Sequence, residues 1–210
     1  MADFNAMNNA LVSCDAGRLT RLVNEAVAVD VPANDILNQG LIAGMDIIGE
    51  KMESGEMFIP EVLMAAQIMA SCLDIIKPLL GEGEGADERV VVIGTVKGDL
   101  HDIGKNLVSM MLESAGMKVI DLGVDIPPED FVAKTKENSA KLICLSALLT
   151  TTMPMMKQTV DAIVEAGIRD EVKILVGGAP VTQAFSDEIG ADGFAADAGS
   201  ASKLAKQLTA

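Results

Sequence analysis

Tryptophan and tyrosine are absent from the 210 residues, and phenylalanine occurs only five times. A flavin or an exposed nucleobase usually stacks on an aromatic ring, so this scarcity weighs against both as ligands. Basic residues are few as well. Sixteen Lys and Arg against 31 Asp and Glu leave a formal net charge of −15. Nucleic acids and anionic membranes need a basic face, so neither is expected as a partner. The three cysteines, Cys14, Cys72 and Cys144, are an odd number at no ligand spacing. Cys144 falls inside an apolar run, which reads as a buried, reduced thiol in a cytoplasmic protein. Half of the residues are apolar, yet no run approaches the length of a membrane span. The start, Met1-Ala2-Asp3-Phe4-Asn5, lacks the basic and apolar regions of a signal peptide.

What remains falls into two halves. The first eighty residues read as all helix. A short helix runs from Phe4 to Cys14, and Asp15 caps a second through Leu19, Leu22, Val23, Ala26 and Val27. Pro32 and Asn34 open a third through Ile36, Leu37, Leu41, Met45, Ile48 and Met52, which Glu53-Ser54-Gly55-Glu56 breaks. Pro60 fits the first turn of a long fourth helix through Val62, Leu63, Ala66, Met69, Leu73 and Ile76. Short turns between them predict a four-helix bundle over 1–80. Three glycines among acids at 81–88 read as a flexible, solvated linker, able to span roughly 25 Å when extended.

From Arg89 onward strands and helices alternate. Strands are predicted at Val90–Gly94, Lys118–Leu122, Leu142–Ser146, Lys173–Val176 and Gly193–Ala195. Helices follow at Ile103–Ser114, Pro128–Asn138, Pro154–Glu165, Thr182–Ile189 and Ser200–Leu208. That order implies a parallel sheet wound on both faces, and five strands fit the flavodoxin-like, Rossmann-like order 2-1-3-4-5 over 89–210. Strands 1 and 3 are then neighbours whose following loops diverge, and ligands bind in that crevice.

The loop after strand 1 is Gly98-Asp99-Leu100-His101-Asp102-Ile103-Gly104, and His101 is the only histidine in the chain. Asp99 could hold one ring nitrogen and leave the other free as a ligand or base. The plainer reading is a surface histidine with Asp102 as a helix N-cap. The loop after strand 3, Ser146 to Thr152, brings a dense hydroxyl cluster to the same crevice. Strand 4 ends in Gly177-Gly178-Ala179-Pro180, where missing side chains let a ligand lie on the backbone, although a helix-entry turn is the ordinary reading.

Neither nucleotide fingerprint appears after strand 1. Strand 3 ends in Ser146 where a phospho-receiver domain carries an acceptor aspartate, and no nucleophile-elbow pattern surrounds that serine. A single histidine cannot close a zinc or iron site, which needs three or four protein ligands. A lone ligand suits a metal that arrives with its in-plane positions filled, as in haem and corrin macrocycles. A haem is usually buried among helices. A macrocycle on the carboxyl edge of a parallel sheet, with a tail running toward Gly177, points to a cobalamin.

The chain resembles the small corrinoid (cobalamin-binding) methyl-carrier proteins of methyltransferase systems, and the cap plus cobalamin-binding domains of methionine synthase. The residues that carry the likeness are Asp99-x-His101-x-x-Gly104, Ser146-x-Leu148 and Gly177-Gly178. In the helical half they are Gly44-Met45, Gly49-Glu50 and Gly55-Glu56-Met57-Phe58-Ile59-Pro60-Glu61. The resemblance implies cobalamin or a related corrinoid, methylcobalamin included, bound base-off with His101 as the lower axial cobalt ligand. It assigns a relay of Asp99, His101 and Thr152, the last standing where methionine synthase has serine. It places Gly98, Asp102, Ile103 and Gly104 around the cofactor, Ser146 on the displaced base, and Leu148, Thr150, Gly177 and Gly178 along its slot. Met52, Ile59 and Val62 would shield the upper face, with Met52 replacing a phenylalanine.

The implied function is that of a carrier and not an enzyme by itself. One substrate-specific corrinoid methyltransferase would load a methyl group, and a second would pass it to a thiol or pterin, in anaerobic one-carbon metabolism. A reductive activator is a further implied partner. Methanol, methylamines, methoxylated aromatics and betaines all remain open as donors. Three other readings also stay open: a cobalamin-dependent regulator, the small cobalamin-binding subunit of a carbon-skeleton mutase, and an acidic interaction module that binds no corrinoid.

Overall fold

The computed structural model describes residues 2–79 and 89–210, so the expected linker at 81–88 lies outside the described residues. The chain divides into two compact units, the first helical and the second built on a sheet.

In the helical unit, α1 (Phe4–Val12) and α2 (Ala16–Ala28) each begin at an aspartate. Asp3 accepts the Ala6 N–H at 2.9 Å and Asp15 the Arg18 N–H at 3.0 Å. Each carboxylate thereby satisfies a donor that the first turn leaves open and faces the positive end of its helix. The third rod, 33–53, comprises α3 (Ala33–Asp35), a π-helical segment Ile36–Ile42 and α4 (Ala43–Glu53). Periodicity did not foresee the π segment. The amide of Asn8 on α1 donates to Gln39 O at 2.9 Å and Gly40 O at 2.8 Å, partnering carbonyls on that segment. Gly40 lets the two helices close: a Cβ there would meet Met7 Sδ at 2.7 Å.

The fourth rod is α5 (Ile59–Ile76), with Pro60 in its first turn and Glu61 accepting the Phe58 N–H at 2.9 Å. One expectation needs correcting here. Ile59–Leu79, 21 residues containing an 18-residue window of mean hydropathy 1.6, is long and apolar enough to cross a membrane by length and composition. Ala and Cys residues among the larger apolar side chains keep its hydropathy high, while Glu61, Gln67 and Asp74 prevent one continuous apolar run. Val62, Ala65, Ala66, Met69, Cys72 and Ile76 recur at helical spacing and are buried, as in a helix packed within a bundle.

The second unit is a five-stranded parallel sheet of order β2-β1-β3-β4-β5. Its strands are β1 (Val90–Thr95), β2 (Lys118–Asp121), β3 (Leu142–Ser146), β4 (Lys173–Gly177) and β5 (Gly193–Ala195). The intervening and final helices are α6 (Ile103–Ser114), α7 (Pro128–Asn138), α8 (Met153–Glu165), α9 (Gln183–Ile189) and α10 (Ala198–Leu208). β1 runs one residue past its predicted end to Thr95, and β4 ends on Gly177. α10 starts two residues earlier than predicted because Asp197 caps it, accepting the Ser200 N–H at 2.8 Å.

Alternate residues of the strands feed two cores. One gathers Val92, Ile143, Leu145, Ile174 and Val176 with Phe131, Met156 and Val160. The other gathers Val91, Ile93, Leu142, Cys144 and Leu175 with Leu112, Ala201 and Ala205. Burial on both faces explains the near-continuous apolar runs of the central strands. Register then sets the site. Thr95 pairs with Ser146 and Ser146 with Gly177, so the carboxyl ends of β1, β3 and β4 are level.

Candidate functional site

The loop leaving β1 is drawn tight by its own backbone. Asp99 donates its N–H to Val96 O at 3.1 Å, a turn that needs Gly98 at φ 82°. Thr95, fully buried at the strand end, donates its hydroxyl to His101 O at 2.8 Å. The loop therefore delivers Asp99 inward and His101 outward. The Asp99 side chain is wholly buried, whereas that of His101 is 51% exposed.

Asp99 is the hub. Its Oδ1 accepts the His101 N–H at 3.1 Å and lies 2.7 Å from His101 Nδ1. Its Oδ2 accepts the Leu148 N–H at 2.8 Å and the Thr152 hydroxyl at 2.7 Å. Burial alone would raise the Asp99 pKa, but the hydrogen bonds from Thr152, Leu148 and His101 outweigh it and hold the carboxyl well below its usual range. An ionised carboxylate only accepts, so Nδ1 donates its N–H to Asp99 and Nε2 is the nitrogen left to act as a ligand.

The expected residues are placed as follows. Asp99, His101 and Thr152 come together in one hydrogen-bonded chain. Asp102 stands directly before α6, accepting the Asn106 N–H at 2.7 Å on its carbonyl and the Asn106 side chain at 3.2 Å on its carboxylate. Gly98 and Thr150 are exposed on loops, Ile103 and Gly104 are exposed in the first turn of α6, and Ser146 is half-buried at the end of β3. Met52, Ile59 and Val62 belong to the helical unit. Val62 lies on the buried stripe of α5, so of these three only Met52 and Ile59 present surface.

Gly177 and Gly178 form the floor beyond β3. A Cβ on Gly177 would come within 3.1 Å of Ala195 O, and one on Gly178, at φ 126°, within 1.9 Å of Ala147 O. Only glycine fits the second position, where the chain passes directly against the Ala147 backbone. Sequence reasoning missed Leu100 and Leu149, which are 72% and 42% exposed beside Ile103 and Leu148 and add apolar surface around His101. Their adjacency to the motif was the available signal. It also missed Thr95, whose hydroxyl steers the loop from inside the strand.

A lone imidazole, locked at one nitrogen and open at the other, stands beside apolar loop tips and a glycine floor at a sheet switch point. That arrangement suits a protein that holds a macrocyclic metal cofactor on the carboxyl edge of its sheet. The donor set fits a corrinoid: one nitrogen ligand suffices for a metal whose in-plane positions are filled. Among the described residues no group of three or more His, Cys, Asp or Glu could hold a bare ion.

Comparison with known proteins agrees. The B12 binding domain family matches residues 89–203, and a second B12 binding domain matches 4–77. The chain is 43% identical over 202 residues to dimethylamine corrinoid protein 1 of Methanosarcina acetivorans, covering 96% of this chain and 94% of that one. A corrinoid protein of Desulfitobacterium hafniense is 42% identical over 211 residues, covering 99% and 98%. Among solved structures, a cobalamin-binding protein from Desulfitobacterium hafniense superposes with a TM-score of 0.87 at 34% identity, covering 99% of both chains. The methanol:cobalamin methyltransferase complex of Methanosarcina barkeri gives 0.80 at 28% identity, covering 98% of this chain and 78% of that one. The chain belongs to the B12-binding family and is a small corrinoid protein of the methyl-carrying kind.

Proposed function

We propose that this chain shuttles a methyl group between a substrate-specific corrinoid methyltransferase and a second methyltransferase that passes it to a thiol or pterin, and that His101 is the lower axial ligand of a base-off corrinoid. The observation that carries the reading is the His101–Asp99 pair: a half-exposed ring whose Nδ1 is fixed at 2.7 Å by a buried carboxylate, leaving Nε2 to face a metal. When bound, the corrinoid supplies a cobalt ion that accepts and releases the methyl group. The chain's own residues do the rest. Asp99 holds the proton on Nδ1 and so raises the donor strength of Nε2. Thr152 and the Leu148 N–H keep Asp99 charged. Ser146, Leu148, Thr150, Gly177 and Gly178 form the slot for the displaced base. The helical unit acts as the methyl-shielding cap, with Met52 and Ile59 its apolar contacts, and residues 81–88 join it to the corrinoid-binding domain.

Relatives named for dimethylamine and trimethylamine support a methylamine as the donor. The structure titled for a methanol methyltransferase complex supports partnership with a methyltransferase. The test of ligation is His101→Gly. The variant should still take up hydroxocobalamin but show a visible spectrum changed from that of the parent protein. An unchanged spectrum would remove His101 from the cobalt. The test of the shuttle is methyl loading from dimethylamine, trimethylamine and methanol by their purified corrinoid methyltransferases, followed by transfer to a thiol. No loading from any of them would sink the donor assignment.

A further inference from the structure

One acidic side chain at the site has no part in the relay. Asp125 lies in the connection between β2 and α7, with its backbone in the left-handed region at φ 58°. That conformation is disfavoured for residues with a Cβ, least so for Asn and Asp, and glycine would adopt it without strain. A carboxylate kept on such a backbone calls for a reason. Asp125 is exposed, so core packing does not provide one. Its hydrogen bonds do. The Gly98 N–H donates to Asp125 Oδ1 at 2.7 Å, and the Asp125 N–H donates to Asp99 O at 3.0 Å. A single residue thus grips the Gly98–Asp99 dipeptide at both its outward-facing groups.

We propose that Asp125 is a positioning residue for His101: it clasps the backbone of Gly98 and Asp99 and so fixes where the imidazole stands at the sheet edge. This rests on the reading of His101 as cobalt ligand. The coupling runs through Asp99, whose Oδ1 holds both the backbone N–H and the ring of His101, so that the pair moves as one body. Gly98 has no side chain to restrain its dihedral angles, and a clasp on its N–H replaces that missing restraint. Further along the same connection, Ile126 donates to Thr95 O at 3.0 Å and bridges Val96. The anchor of Asp125 is therefore as firm as the strand end itself. Other donors to Asp99 act on its carboxylate, whereas Asp125 acts on its main chain.

The experiment uses the full-length chain reconstituted with hydroxocobalamin and reduced to cobalt(II). Histidine is supplied with heavy nitrogen. With one histidine in the sequence, the label reports on His101 alone. Paramagnetic resonance of the parent protein should show cobalt lines split in two by that nitrogen. Asp125→Gly keeps the left-handed backbone and its N–H but removes the carboxylate. It should lower corrinoid affinity about tenfold and cut the histidine-split share of the signal to less than half. Asp125→Asn retains an acceptor oxygen and should restore both.

A Gly variant with the parent's affinity and splitting overturns the proposal, as does an Asn variant as impaired as Gly. If the parent protein shows no histidine splitting, the ligation reading falls and this inference with it. Parental splitting that persists unchanged in Asp125→Gly sinks the positioning role alone. Should the Gly variant fail to fold, amide exchange in the parent decides. Slow exchange at Gly98 and Asp125 supports the clasp, and exchange at the rate of an open loop overturns it.

Discussion

The Thr152 hydroxyl sits 2.7 Å from Asp99 Oδ2 and 2.9 Å from Leu149 O, with one proton to give to two acceptors. The buried carboxylate is the stronger acceptor, so the hydroxyl serves Asp99 and the Leu149 contact fixes its rotamer. Thr152→Val would leave Asp99 Oδ2 with the Leu148 N–H alone. Loss of one hydrogen bond to a buried charged group costs about 1–3 kcal/mol, read from urea unfolding of the apoprotein. Thr152→Ser keeps the hydroxyl and should lose less than half of that.

Gly178 tests the glycine floor. At φ 126° an added Cβ would sit 1.9 Å from Ala147 O, a contact that only movement of β3 or β4 can relieve. Gly178→Ala should therefore destabilise the chain by more than about 1 kcal/mol and abolish cobalamin retention on a desalting column. Gly104→Ala is the control. Nothing lies within 4 Å of a Cβ there, so stability should survive.

The parts of this molecule that were legible in its sequence are those set by periodicity. Five apolar strands alternating with amphipathic helices fit one strand order, and that order alone sets the Asp99–His101 loop beside the Ser146–Thr152 loop. The rest was hidden because it depends on main-chain hydrogen bonds between distant segments. The Leu148 N–H onto Asp99 spans 49 residues and involves no side chain of Leu148. The Asp125 clasp spans 27 and rests on a backbone angle that residue identity does not announce. The same holds for the helical half. Spacing found all four rods, yet the π segment at Ile36–Ile42 follows the helical hydrophobic pattern closely enough to pass for an ordinary helix.

That segment yields a third prediction. Asn8 is buried and spends both amide protons on Gln39 and Gly40 carbonyls, at 2.9 and 2.8 Å. Asn8→Leu would remove both donors and face two carbonyls with an apolar side chain. The expected loss is about 1–3 kcal/mol, with a fall in thermal midpoint measured by circular dichroism. Asn8→Asp, which cannot donate and adds a charge beside the same carbonyls, should be worse than Leu.

Thiol chemistry supplies the last test, and its pH dependence has a definite sign. Cys72 and Cys144 are buried, while Cys14 is half-buried at the turn after α1. Burial pushes the Cys144 thiol up to about 12, and burial with the nearby Glu61 charge raises Cys14 as well. A thiol-disulfide reagent at neutral pH should react slowly with Cys14 alone and reach Cys72 and Cys144 only in urea. In the unfolded chain Cys144 loses its proton near pH 8.5. Between there and about 12 the folded state binds more protons than the unfolded one. By linkage, stability is at its full value below pH 8.5 and falls as pH climbs toward 12. Cys144→Ala should flatten that alkaline slope while lowering stability at pH 7, since it opens a small cavity in the sheet core. A native protein whose Cys144 is modified at neutral pH as fast as Cys14 would contradict the burial on which this rests.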